Sequence, residues 1–316
     1  MLAEKSLIAR VRRQARNGRG VATGIGDDCA VLCVPPGHQA LITTDFSLEG
    51  VHFRRKWHSA ESVGHRCLAR GLSDIAAMGG VPIAVFVSLA LPRDLAPLWV
   101  DGFANGLLKL ASRQGVSLAG GDTAQSPGGV LADVMVVGSV PKGRAILRSG
   151  ARAGDRIYVS GKLGGSAATL GLLLEKSRRK LVPREFAAHF FPEPRIDVGK
   201  FLQEKRLASA MIDISDGLST DLAHICEESE VGAEIQAEEI PLARIDEQLV
   251  NLHAALHGGE DYELLFTSNK RIPPRIAGIP ITQIGEIRRD RRMILINKKG
   301  VPTKFKVRGW EHFKQK

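Results

Sequence analysis

The sequence Gly24-Ile25-Gly26-Asp27-Asp28-Cys29-Ala30-Val31 places two glycines and then two adjacent carboxylates at the start of an apolar run. The glycines allow a tight turn and a close approach of the backbone to a ligand. The carboxylates would repel a bare phosphate, which a glycine loop ordinarily binds with backbone amides or a lysine. A divalent cation removes this conflict, because Mg²⁺ binds carboxylate oxygens together with the phosphates of a nucleotide. The stretch therefore predicts a loop that receives metal-bound phosphate.

Further carboxylates stand in similar settings along the chain. Six aspartates lie at predicted turns or element ends beside Gly, Ser or Thr: Asp28, Asp45, Asp74, Asp122, Asp213 and Asp216. Taken singly, each has an ordinary explanation, such as a solvent-facing helical residue for Asp74 or a helix cap for Asp216. Together they predict a strongly negative site that several Mg²⁺ ions and nucleotide phosphates would occupy. The chain lacks the G-x-x-x-x-G-K-[ST], H-R-D and D-F-G motifs, which excludes a P-loop enzyme and a protein kinase.

Length and composition indicate an ordinary globular protein. The chain has 316 residues, enough for about two domains, with 44% hydrophobic and 25% charged residues. Its four cysteines form no C-x-x-C pair and no cluster with histidines, so neither a zinc site nor a disulfide framework is expected. A reducing, cytoplasmic location fits this pattern best.

The distribution of charge and the length of the apolar runs argue against a nucleic-acid partner and against a membrane partner. The net charge is +10, but the basic residues occur in short groups without interleaved aromatics, so solvated faces explain them better than a nucleic-acid partner. The longest apolar run, from Val81 to Leu91, is about half the ~20 residues that a membrane helix needs. We therefore expect no nucleic-acid partner and no membrane partner. The arginine-rich N-terminus is expected to form a surface helix of the domain rather than a targeting segment.

Alternating strand and helix patterns predict an α/β protein with mixed sheets and two domains. In the first half, strands are expected over residues 21–34, 39–45, 81–91 and 131–140. A further strand is expected to end at Thr123. Helices are expected over residues 59–78 and 95–112. In this assignment Asp45 and Asp122 come where strands end, a usual place for ligand sites. The periodicity lapses between Pro141 and Asp155, which gives domains of residues 1–142 and 143–316.

The second half repeats the design of strand, glycine turn and helix. A strand over residues 156–160, the glycines at 161, 164 and 165 and the following helix resemble an anion cradle. A strand over residues 210–214 then delivers Asp213, and Ser215 and Asp216 are expected to start the next helix. Asp213 is harder to explain as a surface residue, because it lies in an otherwise apolar strand.

The ordered motifs resemble thiamine-monophosphate kinases over nearly the whole chain. The motifs that carry the resemblance are Gly24–Asp28, Thr43-Thr44-Asp45, Glu49–Phe53, Leu72–Gly79, Gly120–Thr123, Ile212–Leu218 and His257–Leu264. Single motifs are shared with the wider superfamily of aminoimidazole ribonucleotide synthetase, selenophosphate synthetase and a hydrogenase maturation factor. The combination with Gly258-Gly259-Glu260-Asp261-Tyr262-Glu263-Leu264 is more specific to the kinases.

The resemblance implies a two-domain, aminoimidazole ribonucleotide synthetase-like α/β fold. It further implies dimerisation through the N-terminal sheet, a layered C-terminal α/β domain that completes the active site, and conversion of thiamine monophosphate to the diphosphate with ATP and several Mg²⁺ ions. By the same resemblance the metal ligands are Asp28, Thr43, Thr44, Asp45, Asp74, Asp122, Asp213 and Asp216. The implied ATP contacts are Gly121, Asp122, Arg148 and Ser215, and the implied contacts of the thiamine phosphate are His52, Glu260 and Trp310.

Some of these assignments have ordinary alternatives. His52 fits a half-buried structural histidine, Trp310 fits C-terminal core, and Arg148 fits a solvated linker. Within the first acidic pair, Asp28 matches the family ligand and Asp27 is expected to support the turn or a bound water. Two positions depart from the family pattern, with Gly71 in place of an asparagine and Ala124 in place of a hydroxyl residue.

Two other functions compete with the kinase hypothesis. The first is another ATP-dependent member of the superfamily, of which an aminoimidazole ribonucleotide synthetase-like enzyme is the hardest to exclude by residues. The second is a basic nucleic-acid or nucleotide-binding protein without catalysis, which the net positive charge suggests.

Overall fold

The chain folds into two compact units: Met1–Ile75 with Gly80–Arg144, and Ala76–Gly79 with Ala145–Lys316. The structure is a computed structural model that describes residues 4–26, 28–175 and 181–310. We call the two units the N-terminal and the C-terminal unit, and each is described by itself. The expected boundary at residues 142 and 143 falls just before Arg144.

The N-terminal unit is built on a four-stranded sheet in the order β3-β6-β4-β5. Only β4 and β5 run parallel, and β3 and β6 pair over their whole length. The elements of this part of the chain are α1 (Glu4–Gln14), β1 (Val21–Thr23), β2 (Val31–Leu32), β3 (His38–Leu48), α2 (Ala60–Ala77), β4 (Val81–Pro92), α3 (Pro97–Gln114), β5 (Ser117–Ser126) and β6 (Leu131–Pro141).

Three expectations for this unit are wrong in their boundaries. Residues 21–34 form not one strand but two short antiparallel strands, β1 and β2, because the glycine loop turns the chain back on itself. Strand β3 continues to Leu48 and β5 to Ser126, since their ladders with β6 and β4 continue. Asp45 and Asp122 therefore lie inside strands and not at strand ends. The start of α2 is as expected, with the Ser59 hydroxyl accepting the Ser62 N–H at 3.2 Å.

Helix α2 lies close to the sheet at Gly71, one of the two departures from the family pattern. A Cβ at this position would lie 2.7 Å from Cγ2 of Val136, so a larger residue would need a shift of the helix or the strand. Ile75, Leu68 and Leu72 of this helix are fully buried. This face of α2 therefore covers the face of the sheet to which Val136 belongs, and it brings Asp74 to that face.

The C-terminal unit contains a larger mixed sheet in the order β16-β15-β9-β14-β7-β12-β8, with β13 added to β14. Only the pairing of β15 with β9 is parallel. The strands are β7 (Arg156–Ser160), β8 (Ala210–Asp213), β9 (Gly232–Gln236), β10 (Arg244–Ile245), β11 (Gln248–Leu249), β12 (Leu264–Ser268), β13 (Arg275–Ile276), β14 (Ile279–Arg288), β15 (Met293–Ile296) and β16 (Pro302–Lys304). The helices are α4 (Gly165–Leu174), α5 (Ala187–Phe190), α6 (Ile196–Glu204), α7 (Leu218–Glu228) and α8 (Leu252–His257), with a 3₁₀ turn at Ala237–Glu239.

Apolar residues of β7, β8, β12 and α7 form one core in this unit. Ile157, Val159, Leu222, Ile225 and Leu265 are all completely buried in it. Burial of this apolar surface holds the start of α7 against the end of β8, where the carboxylates of the unit are found. Helix α7 begins at Leu218, so Ser215 and Asp216 precede the helix and do not start it.

Among the described residues, none of the helices combines the length and the apolar character that crossing a membrane requires.

Candidate active site

Strand β3 and helix α2 bring three predicted metal ligands together in the N-terminal unit. Thr43 and Asp45 are two residues apart on β3, so their side chains point to the same face of the sheet. The Thr43 hydroxyl donates a hydrogen bond to the carboxylate of Asp74 on α2. Nη2 of Arg70, one helical turn before Asp74, lies 4.0 Å from Oδ1 of Asp45. This face therefore carries two carboxylates, a hydroxyl oxygen and one fixed positive charge.

Thr44, also a predicted ligand, has its side chain on the opposite face of β3. Its hydroxyl donates to Oδ1 of Asp133 on the neighbouring strand β6 at 2.6 Å. The alternation of side chains along a strand causes this separation from Thr43 and Asp45. A ligand role for Thr44 on the Asp74 side would have to use its main-chain carbonyl oxygen.

The Gly-Gly-Asp-Thr segment lies within edge strand β5. A Cβ on Gly121 would lie 2.0 Å from the carbonyl oxygen of Val87, and its φ is 154°, so only glycine lets β5 approach β4 this closely. Asp122 is exposed, and its Oδ1 accepts the N–H of Thr123 at 2.8 Å.

A cavity of about 140 Å³ borders this segment. Its walls are mainly apolar residues of α1, α3 and the sheet, together with Gly121 and Asp122 of β5. A mainly apolar cavity with a few polar groups in its wall is typical of a small-molecule site.

The glycine loop that opens the sequence connects β1 and β2. Asp28 lies in a bend after the loop and is exposed, whereas Asp27 lies outside the described residues. The expected difference between the two aspartates therefore stays a prediction.

His52 is held by its own turn. Its Nδ1 accepts the N–H of Leu48 at 3.0 Å, and its carbonyl oxygen accepts a hydrogen bond from Nη2 of Arg66. Because Nδ1 is used as an acceptor, Nε2 is the ring nitrogen that carries the proton. The structural and the ligand-binding interpretation of His52 therefore both stand.

In the C-terminal unit, Asp213 and Asp216 flank a tight loop between β8 and α7. Asp213 ends β8 and is buried. The N–H groups of Asp216 and Gly217 donate to Oδ2 of Asp221 at 3.2 and 3.0 Å. Burial, together with the charges of Asp213 and Asp216, raises the pKa of Asp221 well above its ordinary value. Three carboxylates are therefore close enough here to act on one another.

Two further predicted residues join this loop through main-chain hydrogen bonds. The N–H of Glu260 donates to the carbonyl oxygen of Ser215 at 2.8 Å, and the N–H of Trp310 donates to that of Asp216 at 3.0 Å. Glu260 has a φ of 64°, an uncommon backbone conformation for a residue with a side chain. The Trp310 side chain is 51% exposed, so it is not core. Ser215, Asp216, Glu260 and Trp310 thus come from three separate stretches of sequence and lie together.

The predicted anion cradle at the start of α4 is filled by the protein itself. Asp261 accepts the N–H groups of Gly164 and Ser166 at 2.7 and 3.3 Å. Burial raises the pKa of Asp261 to about 7, although these two hydrogen bonds act in the opposite direction. The glycine turn is therefore part of the fold in this unit, since its donors already have a carboxylate.

Glu263, two residues further on, is fixed by a buried ion pair. Arg195 donates to both of its carboxylate oxygens, at 2.6 and 2.5 Å, and the Ser160 hydroxyl donates to Oε2 at 2.5 Å. Of the acids in the Gly258–Leu264 motif, Asp261 and Glu263 thus hold the segment in place. The third acid of the motif, Glu260, is only half-buried.

Arg148 is exposed, and its carbonyl oxygen accepts a hydrogen bond from the Ser229 hydroxyl at 3.0 Å. This contact fixes its main chain and leaves its proposed role toward ATP a prediction.

Sequence reasoning missed Asp221 and His224. With Asp216 they form a group whose potential ligand atoms all lie within 4.8 Å of one another. The sequence could have indicated them by their spacing, because two residues three apart lie on the same side of a helix, here in the first turns of α7.

Comparison with known proteins defines the class first. The N-terminal domain model of AIR synthase related proteins matches residues 26–140, and the C-terminal domain model of the same proteins matches residues 152–272. The chain is therefore a two-domain protein of the AIR synthase related type, which confirms the fold class expected from the sequence. The hydrogenase maturation protein HypE has this fold as well, with a TM-score of 0.77 at 16% identity.

Within that class, the individual proteins that this chain is similar to indicate one family. The chain is 38% identical to thiamine-monophosphate kinase of Salmonella typhimurium over 98% of both chains, and 35% identical to that of Bacillus subtilis over 98% of this chain and 99% of the relative. The crystal structure of thiamine-monophosphate kinase from Stenotrophomonas maltophilia covers 93% of this chain and 96% of its own, with a TM-score of 0.81 and 34% identity. The structure of AaThiL complexed with AMPPCP and TMP covers 99% and 97%, with a TM-score of 0.79 and 33% identity. The chain belongs to the thiamine-monophosphate kinase family.

Proposed function

We propose that this protein phosphorylates thiamine monophosphate to thiamine diphosphate with ATP and Mg²⁺. The observation that carries the proposal is the meeting of Ser215, Asp216, Glu260 and Trp310 at one loop of the C-terminal unit. Those residues match the family motifs for metal, ATP and thiamine phosphate. AaThiL, a relative of nearly full-length similarity, is described in complex with AMPPCP and TMP.

The residues that would hold Mg²⁺ offer oxygen atoms only, which is the chemistry this ion prefers. In the N-terminal unit the set is Asp28, Thr43, Thr44, Asp45, Asp74 and Asp122, and in the C-terminal unit it is Asp213 and Asp216. The convergence of Thr43, Asp45 and Asp74 on one face supports the first set, and the closeness of Asp213, Asp216 and Asp221 supports the second. When bound, Mg²⁺ supplies neutralisation of the phosphate charge.

The ATP contacts proposed are Gly121, Asp122, Arg148 and Ser215. The apolar cavity lined by Gly121 and Asp122 supports a nucleobase at β5, the edge strand of the sheet. Arg148, an exposed cation, is proposed to pair with phosphate oxygen.

The thiamine phosphate contacts proposed are His52, Glu260 and Trp310. Trp310 offers an exposed aromatic surface, and an indole is the aromatic group that attracts a cationic ring most strongly. His52 lies in the turn after β3, where the bond from the Leu48 N–H to its Nδ1 fixes the ring.

The chemistry needs no protein base. A phosphate acceptor is largely ionised at neutral pH, because its second pKa is about 6. Positioning and charge neutralisation then supply the catalysis, and the phosphoryl group passes in line from ATP to the acceptor. We expect no radioactivity on the protein after rapid acid quenching of a reaction with γ-labelled ATP. A labelled side chain that appears and decays during turnover would contradict direct transfer.

The test of the proposal is incubation of the protein with ATP, Mg²⁺ and thiamine monophosphate, with separation of the products by chromatography. We expect thiamine diphosphate and ADP in equal amounts, and neither when the metal is chelated. Absence of thiamine diphosphate, with ATP intact, contradicts the proposal. A parallel incubation with a panel of substrates of other ATP-dependent members of the superfamily tests the competing enzyme.

The proposal includes a homodimer and a cytoplasmic location. The outer face of β3 carries Ile42 and Phe46 with 67% and 59% exposure, and such an apolar face supports pairing with a second copy. All four cysteines are free thiols, which supports a reducing compartment.

A further inference from the structure

Arg70 is a basic residue inside the acidic group of the N-terminal unit. It precedes Asp74 by four residues on α2, so both side chains lie on the same side of the helix. Its side chain is only 17% exposed, and its Nη2 lies 4.0 Å from Oδ1 of Asp45. The arginine therefore stands on the face where Thr43, Asp45 and Asp74 converge.

The neighbours of Arg70 on α2 do not offset its charge beside Asp45. Cys67, one turn earlier on α2, is fully buried, and burial raises the pKa of its thiol, so the sulfur adds no negative charge. The next basic residue, Arg66, is buried and donates to the carbonyl oxygen of His52. Because a guanidinium stays protonated at any pH at which the protein is folded, the charge beside Asp45 is permanent.

We propose that the guanidinium of Arg70 pairs with the Asp45 carboxylate when no metal is bound, and that this positive charge weakens the binding of a divalent cation at Asp45 and Asp74. The inference rests on the proposed metal site. A cation bound by Asp45 would lie within a few ångströms of the guanidinium, and both are positive. Binding therefore requires work against this repulsion or displacement of the arginine from Asp45.

A consequence follows for the order of binding. Metal that arrives alone meets the repulsion in full, whereas metal that arrives with ATP brings phosphate oxygens to which a displaced guanidinium can donate. Arg70 thus disfavours loading of the site by metal without nucleotide. In the absence of Arg70, the two carboxylates would bind the free metal more tightly.

The test is the affinity for Mn²⁺ without nucleotide, measured by isothermal titration calorimetry at fixed salt. Arg70→Gln is expected to tighten binding about tenfold, which corresponds to ~1.4 kcal/mol. Arg70→Met, which keeps an apolar stem, is a second neutral variant in case glutamine impairs folding. Arg70→Lys keeps the charge and is expected to leave the affinity within about twofold, a difference of less than ~0.5 kcal/mol.

The matched control is Arg93→Gln, which removes the same charge from an exposed position of the same unit. It is expected to leave the affinity for Mn²⁺ unchanged, because exposed charges are screened by salt. Equal or weaker binding in both neutral variants overturns the inference. Absence of Mn²⁺ binding by the unaltered protein and by both neutral variants overturns the proposed metal site as well, whereas binding that Arg70 does not influence overturns only the role of Arg70.

Discussion

At the scale of single residues, Asp216 combines a proposed role with a defined main-chain position. Its N–H and carbonyl groups are held by Asp221 and Trp310, so the loop keeps its shape when only the side chain changes. Asp216→Asn is therefore expected to remove charge without moving the loop. Asp216 is proposed to hold the metal that neutralises transition-state charge, so its loss is expected to lower kcat by about 10²- to 10³-fold.

The measurement is kcat for thiamine diphosphate formation at saturating ATP, with circular dichroism to confirm the fold. Glu228→Gln on the same helix is the control, because this side chain is exposed at the far end of α7. A kcat within twofold of the unaltered protein would remove Asp216 from the proposed metal set.

Asp261 makes a second prediction at this scale, on pH and stability. Its pKa is raised from 3.8 to about 7 by burial, so the folded protein holds this proton where the unfolded chain has lost it. The contribution to the free energy of unfolding is full below pH 3.8 and is lost as the pH rises toward 7. The slope for one proton cannot exceed about 1.4 kcal/mol per pH unit.

Asp261→Asn should flatten this part of the pH profile while lowering stability overall, because an amide cannot accept both N–H groups of the cradle. Urea unfolding between pH 4.5 and 7.5, in the presence of a chelator, measures both effects. An unchanged slope in the variant would mean that Asp261 is already ionised across this range in the folded protein.

At the scale of elements, the pair of Arg195 and Glu263 ties the segment before α6 to the start of β12. Both side chains are largely buried, and Arg195 contacts both oxygens of Glu263. Arg195→Met leaves the carboxylate buried without its cation, which is expected to cost about 3–5 kcal/mol.

The double variant Arg195→Met with Glu263→Gln should recover part of this loss, since no unpaired charge remains. Denaturant unfolding of the two single variants and the double variant gives the coupling energy. Additive losses would show that the ion pair is not what holds this segment.

At the scale of the whole molecule, the exposed apolar face of the N-terminal sheet predicts association. A stable interface buries about 800 Å² per partner, and a charge placed in its apolar centre opposes that burial. Phe46→Glu is therefore expected to convert the proposed dimer into monomers, as measured by light scattering after gel filtration.

Leu98→Glu is the matched control, because Leu98 is 81% exposed on α3 rather than on the sheet. It should leave the molar mass at that of the unaltered protein. A monomeric unaltered protein, or a Phe46→Glu variant that stays dimeric, contradicts association through this face.

Local patterns in the sequence determined the class of fold, the positions of most helices and strands, and the family. The motifs around Asp28, Asp122, Asp216 and Glu260 could be read in order, because each is a short stretch whose glycines and acids are adjacent in the chain. Several predicted site residues came from these motifs and others, such as Arg148 and Trp310, only from the family resemblance, and the roles of all of them toward metal, ATP and substrate stay predictions.

Only the tertiary structure decided which groups face one another. Strand ladders carried Asp45 and Asp122 inside strands and turned Thr44 away from Thr43. The bond between Thr43 and Asp74 joins residues 31 apart, and that between Gly164 and Asp261 joins residues 97 apart. Contacts over such distances depend on how sheets and helices pack, so no local pattern could reveal that Asp261 fills the cradle or that Arg70 stands beside Asp45.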